Sequence, residues 1–297
     1  MLPELFDLTI PGLGRVAVTS YGVMMVAAFL AGNWVMRRRL GELERDPRLA
    51  DDVMLAALVG GLVGAKLHYV VVRSIAEGAD PAALLFSRAG LVWYGGLIGG
   101  AAAVIWLSRR RGVPVPFTAD LVAPALALGY GLGRVGCFLV GDDYGRPTES
   151  WIGIAFPEGS PPTTAGSLRR NYGADLPADV PDAEVLAVIP TQLFEAAAGL
   201  LVFAILWRLR DHRHRAGWLF SVWLVLAGVE RFLVEIVRIK DDRFLGPLSV
   251  AQALSVGLVV VGGWLWWRLR ADAGVVDPGR AAATAGAADD GPRTPDA

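Results

Sequence analysis

The 297-residue chain is poor in cysteine, histidine and charge. A single cysteine excludes an intramolecular disulfide, and with three histidines beside it a Cys/His zinc site is not expected. Charged residues make up 19% of the chain, against roughly 25% in soluble domains. The net charge of −1 carries no basic footprint, so nucleic acid is not an expected partner. No basic stretch precedes an apolar one in MLPELFDLTIPGLGR, so a cleaved signal peptide is not expected either. What the chain has in abundance is apolar surface. It is 54% hydrophobic with a mean hydropathy of +0.46, and the apolar residues fall in long runs. That pattern fits an all-α, polytopic membrane protein.

Seven segments are long enough to cross a bilayer as helices, near 16–36, 52–72, 90–108, 119–141, 190–208, 216–237 and 247–267. The second, fourth and sixth carry internal charge or many glycines and are the weaker candidates by hydropathy. Such residues are tolerated where they face protein or water. The loops 37–51, 109–118 and 208–215 hold five, three and four Lys/Arg, in only 15, 10 and 8 residues. The alternate loops 73–88, 142–189 and 238–246 hold two, three and three, in 16, 48 and 9 residues. The basic set is expected to be cytoplasmic, which puts the N-terminus outside and the C-terminus inside. Residues 1–270 then form one seven-helix membrane domain. Segment 142–189, with five prolines within 157–181, reads as a small irregular extracytoplasmic insertion. The Ala/Gly/Pro/Asp-rich tail 271–297 has little to bury and is expected to be a disordered cytoplasmic tail.

The segment GYGLGRVGCFLVGDDYGRPT, residues 129–148, is the most informative. Its GLGRVG core matches the dinucleotide fingerprint formally, but no strand precedes it and it lies in an apolar span, so that match is rejected. A guanidinium within such a span, as at Arg134, costs about 2.5–3.5 kcal/mol even on a lenient insertion scale. It should therefore face an anion, a carboxylate or a water-filled cavity. In ERFLVEIVR, residues 230–238, Arg231 and Glu235 are four apart and share a helix face, with Arg238 on the same side. Two cations along one face suit a phosphate headgroup, since the arginine fork can donate two bonds at once; the bland alternative is a salt-bridge ladder. Gln192 and Glu195 in PTQLFE share a face at the start of the fifth span. In WYGGLIGG the glycines read as close helix packing, while Tyr94 could donate its hydroxyl into a cleft or merely sit at the interface. Tyr21, Lys66 and His68 are further polar points, with Lys66 expected to snorkel or to pair with a carboxylate. Cys137 reads as a small buried residue. His212 and His214 look incidental.

With these motifs in their order, GRVGCFLVGDDYGRPT preceded by WYGGLIGG and followed by PTQLFEA and ERFLVEIVR, residues 16–268 resemble the bacterial prolipoprotein diacylglyceryl transferases. The resemblance implies seven membrane helices with the N-terminus outside, in the bacterial cytoplasmic membrane, with the site facing its outer side. It implies transfer of the diacylglyceryl group of phosphatidylglycerol to the lipobox cysteine thiol of preprolipoprotein signal peptides. The products are a thioether and glycerol 1-phosphate. No cofactor or metal is implied. The partners are the two substrates and the membrane lipids. By motif position, Arg134 corresponds to the arginine that binds phosphatidylglycerol, Arg231 and Glu235 to the essential Arg-x-x-x-Glu pair, and Tyr21 to the functional tyrosine of the first span. Gly136, Gly141, Gly145 and Arg146 complete the signature, and Cys137, Asp142, Gln192, Glu195 and Arg238 join the expected substrate site. The chain departs from the family pattern twice. Tyr94 replaces the histidine before Gly-Gly-Leu-Ile-Gly, and Cys137 stands where members often have asparagine. The proton acceptor is thereby open between Glu235 and Asp142, with Tyr94 as a hydrogen-bond donor. Two alternatives remain: a homologue that binds phosphatidylglycerol without transferring, and a membrane transporter.

Overall fold

A computed structural model of the chain describes residues 3–10, 14–87, 90–239, 243–245 and 248–270. The tail from 271, expected to be disordered, lies outside the described residues. The elements in chain order are β1 (Glu4–Ile10), β2 (Gly14–Thr19), α1 (Ser20–Glu42), α2 (Arg48–Glu77), α3 (Pro81–Leu85), α4 (Trp93–Arg110) and α5 (Val115–Val140). There follow β3 (Ile154–Ala155), α6 (Ala165–Tyr172), β4 (Ala187–Val188), α7 (Thr191–Leu209), α8 (Trp218–Val237), β5 (Arg243–Leu245), β6 (Leu248–Ser249) and α9 (Val250–Leu269).

The long helices α1, α2, α4, α5, α7, α8 and α9 occupy the seven expected segments. Four of them, α2, α5, α7 and α9, are long and apolar enough to cross a membrane. This corrects the hydropathy ranking in part: the sixth segment, α8, falls short as expected, with Glu230, Arg231 and Glu235 inside it. Segments two and four, expected to be weak, are among the four, because glycine and alanine cost little hydropathy. The charges near α2 gather at its ends, apart from Lys66. Segments one and three fall short instead, since Arg37–Arg39 and Arg109–Arg110 lie within α1 and α4.

The first helix also starts later than expected. Residues 14–19 pair as β2 with β1, in the antiparallel register Phe6↔Val18, Asp7↔Ala17 and Leu8↔Val16. The β-branched alternation of Val16-Ala-Val-Thr19 suits a strand, so α1 begins only at Ser20. The insertion, expected to be irregular, has a short helix, α6, and a two-residue ladder between β3 and β4. Thr164 caps α6 by accepting a bond from Ser167 N–H. Tyr144, Phe156, Leu168, Val188 and Ile239 form a buried cluster beneath it.

The described residues divide into two compact units. One comprises Asn33–Leu121; the other takes the residues up to Gly32 and from Val122 onward. In the first unit α2 and α4 pack through glycine. A Cβ on Gly64 would stand 2.3 Å from the Gly95 carbonyl oxygen, and one on Gly99 would stand 2.3 Å from that of Gly60. Only main chain fits at those points. Lys66 donates to the carbonyl and hydroxyl of Ser87, at 2.8 and 3.1 Å. Leu55, Val59, Leu62 and Val63 point outward, exposed, as a lipid-facing surface requires.

In the second unit α5, α7, α8 and α9 pack with the same economy of side chain. A Cβ on Gly199 would lie 2.9 Å from Gly131 N, and one on Gly228 would lie 2.9 Å from the Ser255 carbonyl oxygen. Ala123, Ala127, Val202, Leu206, Trp218 and Leu219 form its apolar core. Along α5, Arg134 lies between that core and the insertion.

Candidate active site

Residues 131–136, the rejected dinucleotide match, lie inside the continuous helix α5. The close approach of Gly131 to Gly199 brings α5 against α7 and sets Arg134 beside Glu195. The Arg134 guanidinium pairs with Asp143 at 2.9 Å through Nη1 and with Glu195 at 3.1 Å through Nη2. Its Cζ also lies 5.1 Å from the centre of the Tyr130 ring, one helical turn back. Arg238 reaches the same acids from the end of α8. Nη2 meets Asp143 at 2.7 Å, Nη1 lies 3.7 Å from Glu195, and Nε lies 3.8 Å from Glu235. On α8 itself, Arg231 pairs with Glu235 at 2.6 Å, as the four-residue spacing predicts. The side chains of Glu195 and Arg238 are 0% and 4% exposed, against 28% for Arg231. Nη1 of Arg231 is buried with no hydrogen-bond partner among the described residues.

The turn after α5 builds the outer part of the site. Gly141 and Asp143 both adopt positive φ, 73° and 56°. Glycine takes this conformation freely, while an aspartate there is uncommon and strained. The reversal brings the Asp143 carboxylate back over Arg134. Side chains from the start of α7 hold it: Thr191 Oγ1 donates to the Asp143 carbonyl at 2.8 Å, and Gln192 Nε2 donates to the Asp142 carbonyl at 2.6 Å. Gly145 and Arg146 then strap the end of α8. Arg146 N–H donates to the Val237 carbonyl at 3.0 Å, and its Nε donates to the Arg238 carbonyl at 3.1 Å. These bonds satisfy carbonyls that the helix end leaves unpaired. A Cβ on Gly145 would stand 2.7 Å from the Val237 carbonyl oxygen, so the strap requires glycine.

Asp142 points elsewhere. With Tyr21, Thr19, Glu4, Glu158 and Ser160 it lines a cavity of about 590 Å³. Its Oδ1 is buried without a hydrogen-bond partner among the described residues. Burial raises its carboxyl above the usual carboxylate range, and the neighbouring Asp143 carboxylate raises it further. The Cys137 thiol, itself buried, lies against it. Gly136 lets α1 come close here, since a Cβ would stand 3.0 Å from that of Met24 and 3.3 Å from the Tyr21 ring.

The structure thus brings together Arg134, Asp142, Gln192, Glu195, Arg231, Glu235 and Arg238, with Tyr21 at the cavity. Tyr94 belongs to the Asn33–Leu121 unit. Its ring is 44% exposed and makes an edge-to-face contact with Trp93 at 5.1 Å. Three participants escaped the sequence reading. Asp143 adjoins Asp142, and nothing in the order of two aspartates says which one turns inward. Tyr130 lies four residues before Arg134, a same-face spacing that could have marked it. Glu230 adjoins Arg231 but faces Tyr130, whose hydroxyl lies 2.9 Å from Glu195 Oε1 and 3.2 Å from Glu230 Oε1. Around Arg134, Arg231 and Arg238 stand Asp142, Asp143, Glu195, Glu230 and Glu235, and these acids outnumber the guanidinium groups.

The family model for prolipoprotein diacylglyceryl transferase matches residues 9–268. The phosphatidylglycerol–prolipoprotein diacylglyceryl transferase of Geobacter sulfurreducens is 30% identical over 260 residues, covering 84% of this chain and 90% of that protein. Its counterpart in Xylella fastidiosa is 32% identical over 281 residues, covering 86% and 90%. That of Nitratidesulfovibrio vulgaris is 29% identical over 274 residues, covering 87% and 95%. A match running from the N-terminal hairpin to the last helix, through every residue of the charged cluster, shows that the chain belongs to the prolipoprotein diacylglyceryl transferase family.

Proposed function

We propose that the protein transfers the diacylglyceryl group of phosphatidylglycerol to the lipobox cysteine thiol of preprolipoproteins, the first step of lipoprotein maturation. The observation that carries the site assignment is Arg231. Its guanidinium is half-saturated by Glu235 and has a buried Nη1 with no partner among the described residues. It lies on the helix that also bears Arg238 and within the cluster that holds Arg134. A phosphodiester oxygen fits that unfilled donor, and exchange of one carboxylate frees Arg134 for a second.

The reaction forms one bond and breaks one. The thiol loses its proton, and the sulfur attacks the glycerol carbon that carries the phosphate. The carbon–oxygen bond to phosphate breaks, and glycerol 1-phosphate leaves with the charge held by the arginines. Asp142 is the best-placed proton acceptor. Its Oδ1 has no hydrogen-bond partner among the described residues, it lines the cavity beside Tyr21, and burial makes it a stronger base than an ordinary carboxylate. Glu235 is engaged instead by the Arg231 guanidinium at 2.6 Å. Tyr21, at the cavity, serves as a hydroxyl donor to the reacting groups, and Tyr94 is a second candidate donor by its motif position alone. Glu195 and Gln192 hold Arg134 and the 142–143 turn.

In this reading all seven long helices cross the bacterial cytoplasmic membrane as one domain, with the N-terminus outside and 271–297 as a cytoplasmic tail. Basic loop density supports that orientation. Arg134 stands six residues before the end of α5, about 9 Å at 1.5 Å per residue, close to headgroup depth on the outer side. The 142–189 insertion lies on that side and helps admit the acceptor peptide. Transfer by Arg134→Ala in phosphatidylglycerol vesicles is the test. Losing a charged phosphate contact worth on the order of 1.5–3 kcal/mol should slow transfer about ten- to a hundredfold, and Arg134→Lys should not restore it fully. Near-normal transfer by Arg134→Ala would remove this arginine from the donor site.

A further inference from the structure

We propose that Glu230 carries a proton in the resting protein, and that Glu230, Tyr130 and Glu195 form a proton bridge behind Arg134. The argument is a count of hydrogens. The Tyr130 oxygen stands 2.9 Å from Glu195 Oε1 and 3.2 Å from Glu230 Oε1. A phenol has one proton and can direct it at one of these oxygens. The second short oxygen–oxygen contact needs a proton from the carboxyl side. Glu195 faces two guanidinium groups, Arg134 at 3.1 Å and Arg238 at 3.7 Å, and is therefore the ionised partner. Glu230 has no ion pair among the described residues, and the proton resides there.

The surroundings of Glu230 agree. Tyr130 and Arg134 face it from α5, Glu195 from α7, and Arg231 is its neighbour on α8. Helix α9 packs against α8 where Gly228 meets the Ser255 carbonyl, and its one ionisable side chain, Arg268, lies at its far end. A second carboxylate beside Glu195 would stand uncompensated in a low-dielectric helix bundle, where a lone buried charge is costly.

The bridge gives Arg134 a way to exchange partners, and this consequence rests on the phosphatidylglycerol reading above. When an anionic phosphate approaches Arg134, Glu195 must give up its ion pair. The Tyr130 proton passes to Glu195 as the Glu230 proton passes to the Tyr130 oxygen. One oxygen–hydrogen bond breaks and one forms at each step, and no outside proton is needed. Negative charge moves from Glu195, against the phosphate, to Glu230, one group further away. Tyr130 and Glu230 are thus positioning residues that act through Arg134.

Infrared spectra of the purified full chain in phosphatidylcholine nanodiscs test the proton directly. At neutral pH the wild-type protein should show the carbonyl stretch of a protonated carboxylic acid, shifted in deuterium oxide. Glu230→Gln should lose that component. Tyr130→Phe should move it, because the acid loses its hydrogen-bond partner, and this variant decides the matter if Glu230→Gln does not fold. A wild-type spectrum without the band, a band untouched by Glu230→Gln, or one unmoved by Tyr130→Phe overturns the proposal. In transfer assays, KM for phosphatidylglycerol should rise about tenfold at alkaline pH as Glu230 ionises beside the donor site, and stay flat in Glu230→Gln. An equal rise in both proteins overturns the linkage to Glu230. Because the band is read without substrate, a protein that shows it but transfers nothing contradicts the proposed function and leaves the proton bridge standing.

Discussion

The α2–α4 pair and the α5–α7–α8 group solve one problem in two ways. Lipid tails are as apolar as leucine, so membrane helices need something beyond hydrophobicity to associate. Between α2 and α4 the answer is main chain on main chain, with Gly60, Gly64, Gly95 and Gly99 leaving no room for a Cβ. Between α5 and α7 the same device recurs at Gly131 and Gly199, but here the close approach brings ionised side chains together. Arg134, Asp143, Glu195 and Arg238 form a continuous network across both. Glycine contact by itself therefore says little about chemistry. What separates the regions is whether that contact closes on charge, and the two should respond to substitution in different observables: turnover in one, assembly in the other.

The sharpest test of that division is Asp142→Asn, which keeps shape and hydrogen-bonding capacity but removes the proposed proton acceptor. Turnover should fall by roughly 10²–10⁴ with the protein still folded. The sign of the pH dependence follows from the raised Asp142 carboxyl. Below its folded pKa the group is protonated and cannot take the thiol proton, so wild-type kcat declines toward acid, at a pH above the ordinary carboxylate range. The residual activity of Asp142→Asn should lack that limb. A pH–rate profile that keeps it would transfer the role to Glu235.

Next in size is Asp143→Ala, a blow to the network rather than to the proton transfer. It strips the closest carboxylate from both Arg134 and Arg238, leaving buried cations short of a partner. Breaking such a pair costs about 3–5 kcal/mol, and thermal unfolding in detergent should show it. Asp143→Asn keeps the turn's tolerance for positive φ and should recover part of the loss. If Asp143→Ala melts like wild type, the charged network does not hold these helices together, and the contrast with α2–α4 fails.

The sequence discloses these two regions unequally, for physical reasons. Helix positions follow from apolar runs, which depend on local composition, so seven segments coincide with seven long helices. The arginine–glutamate pair on α8 follows from helical spacing alone. The start of α1 does not, because Val16-Ala-Val-Thr19 is apolar enough for a span and β-branched enough for a strand, and pairing with β1 decides. Tyr130 meets Glu195 where Gly131 and Gly199 bring α5 against α7, and it meets Glu230 on α8, tertiary contacts that no spacing within one helix reveals. Asp143 turns inward through its own positive φ, which the adjacent Asp142 conceals. The full set of carboxylates is likewise hidden, since the acids arrive from α7, α8 and the turn after α5.

The smallest effect is expected at the glycine contact, where two neighbouring positions serve as each other's control. A Cβ on Gly64 would stand 2.3 Å from the Gly95 carbonyl oxygen and 2.8 Å from the Gly99 Cα. Both obstacles are main chain, which cannot swing aside as a side chain does. Gly64→Val should therefore force α2 and α4 apart, at roughly 1–3 kcal/mol as for other overpacked sites. At Gly61, three residues back on α2, the nearest atom to an added Cβ is the Gly96 carbonyl oxygen at 3.6 Å, ordinary contact distance. Gly61→Ala should stay within about 0.5 kcal/mol of wild type. Both proteins belong in the same two assays, folded yield from membranes and turnover per folded molecule. If α2–α4 is packing alone at these positions, Gly64→Val lowers yield while its folded fraction turns over within about twofold of wild type, a difference of less than 0.5 kcal/mol in the barrier. A folded Gly64→Val protein with turnover down a hundredfold would mean that the α2–α4 spacing itself sets the reaction geometry, and the division between assembly and chemistry would have to be redrawn through Tyr94, which begins the helix that Gly64 meets.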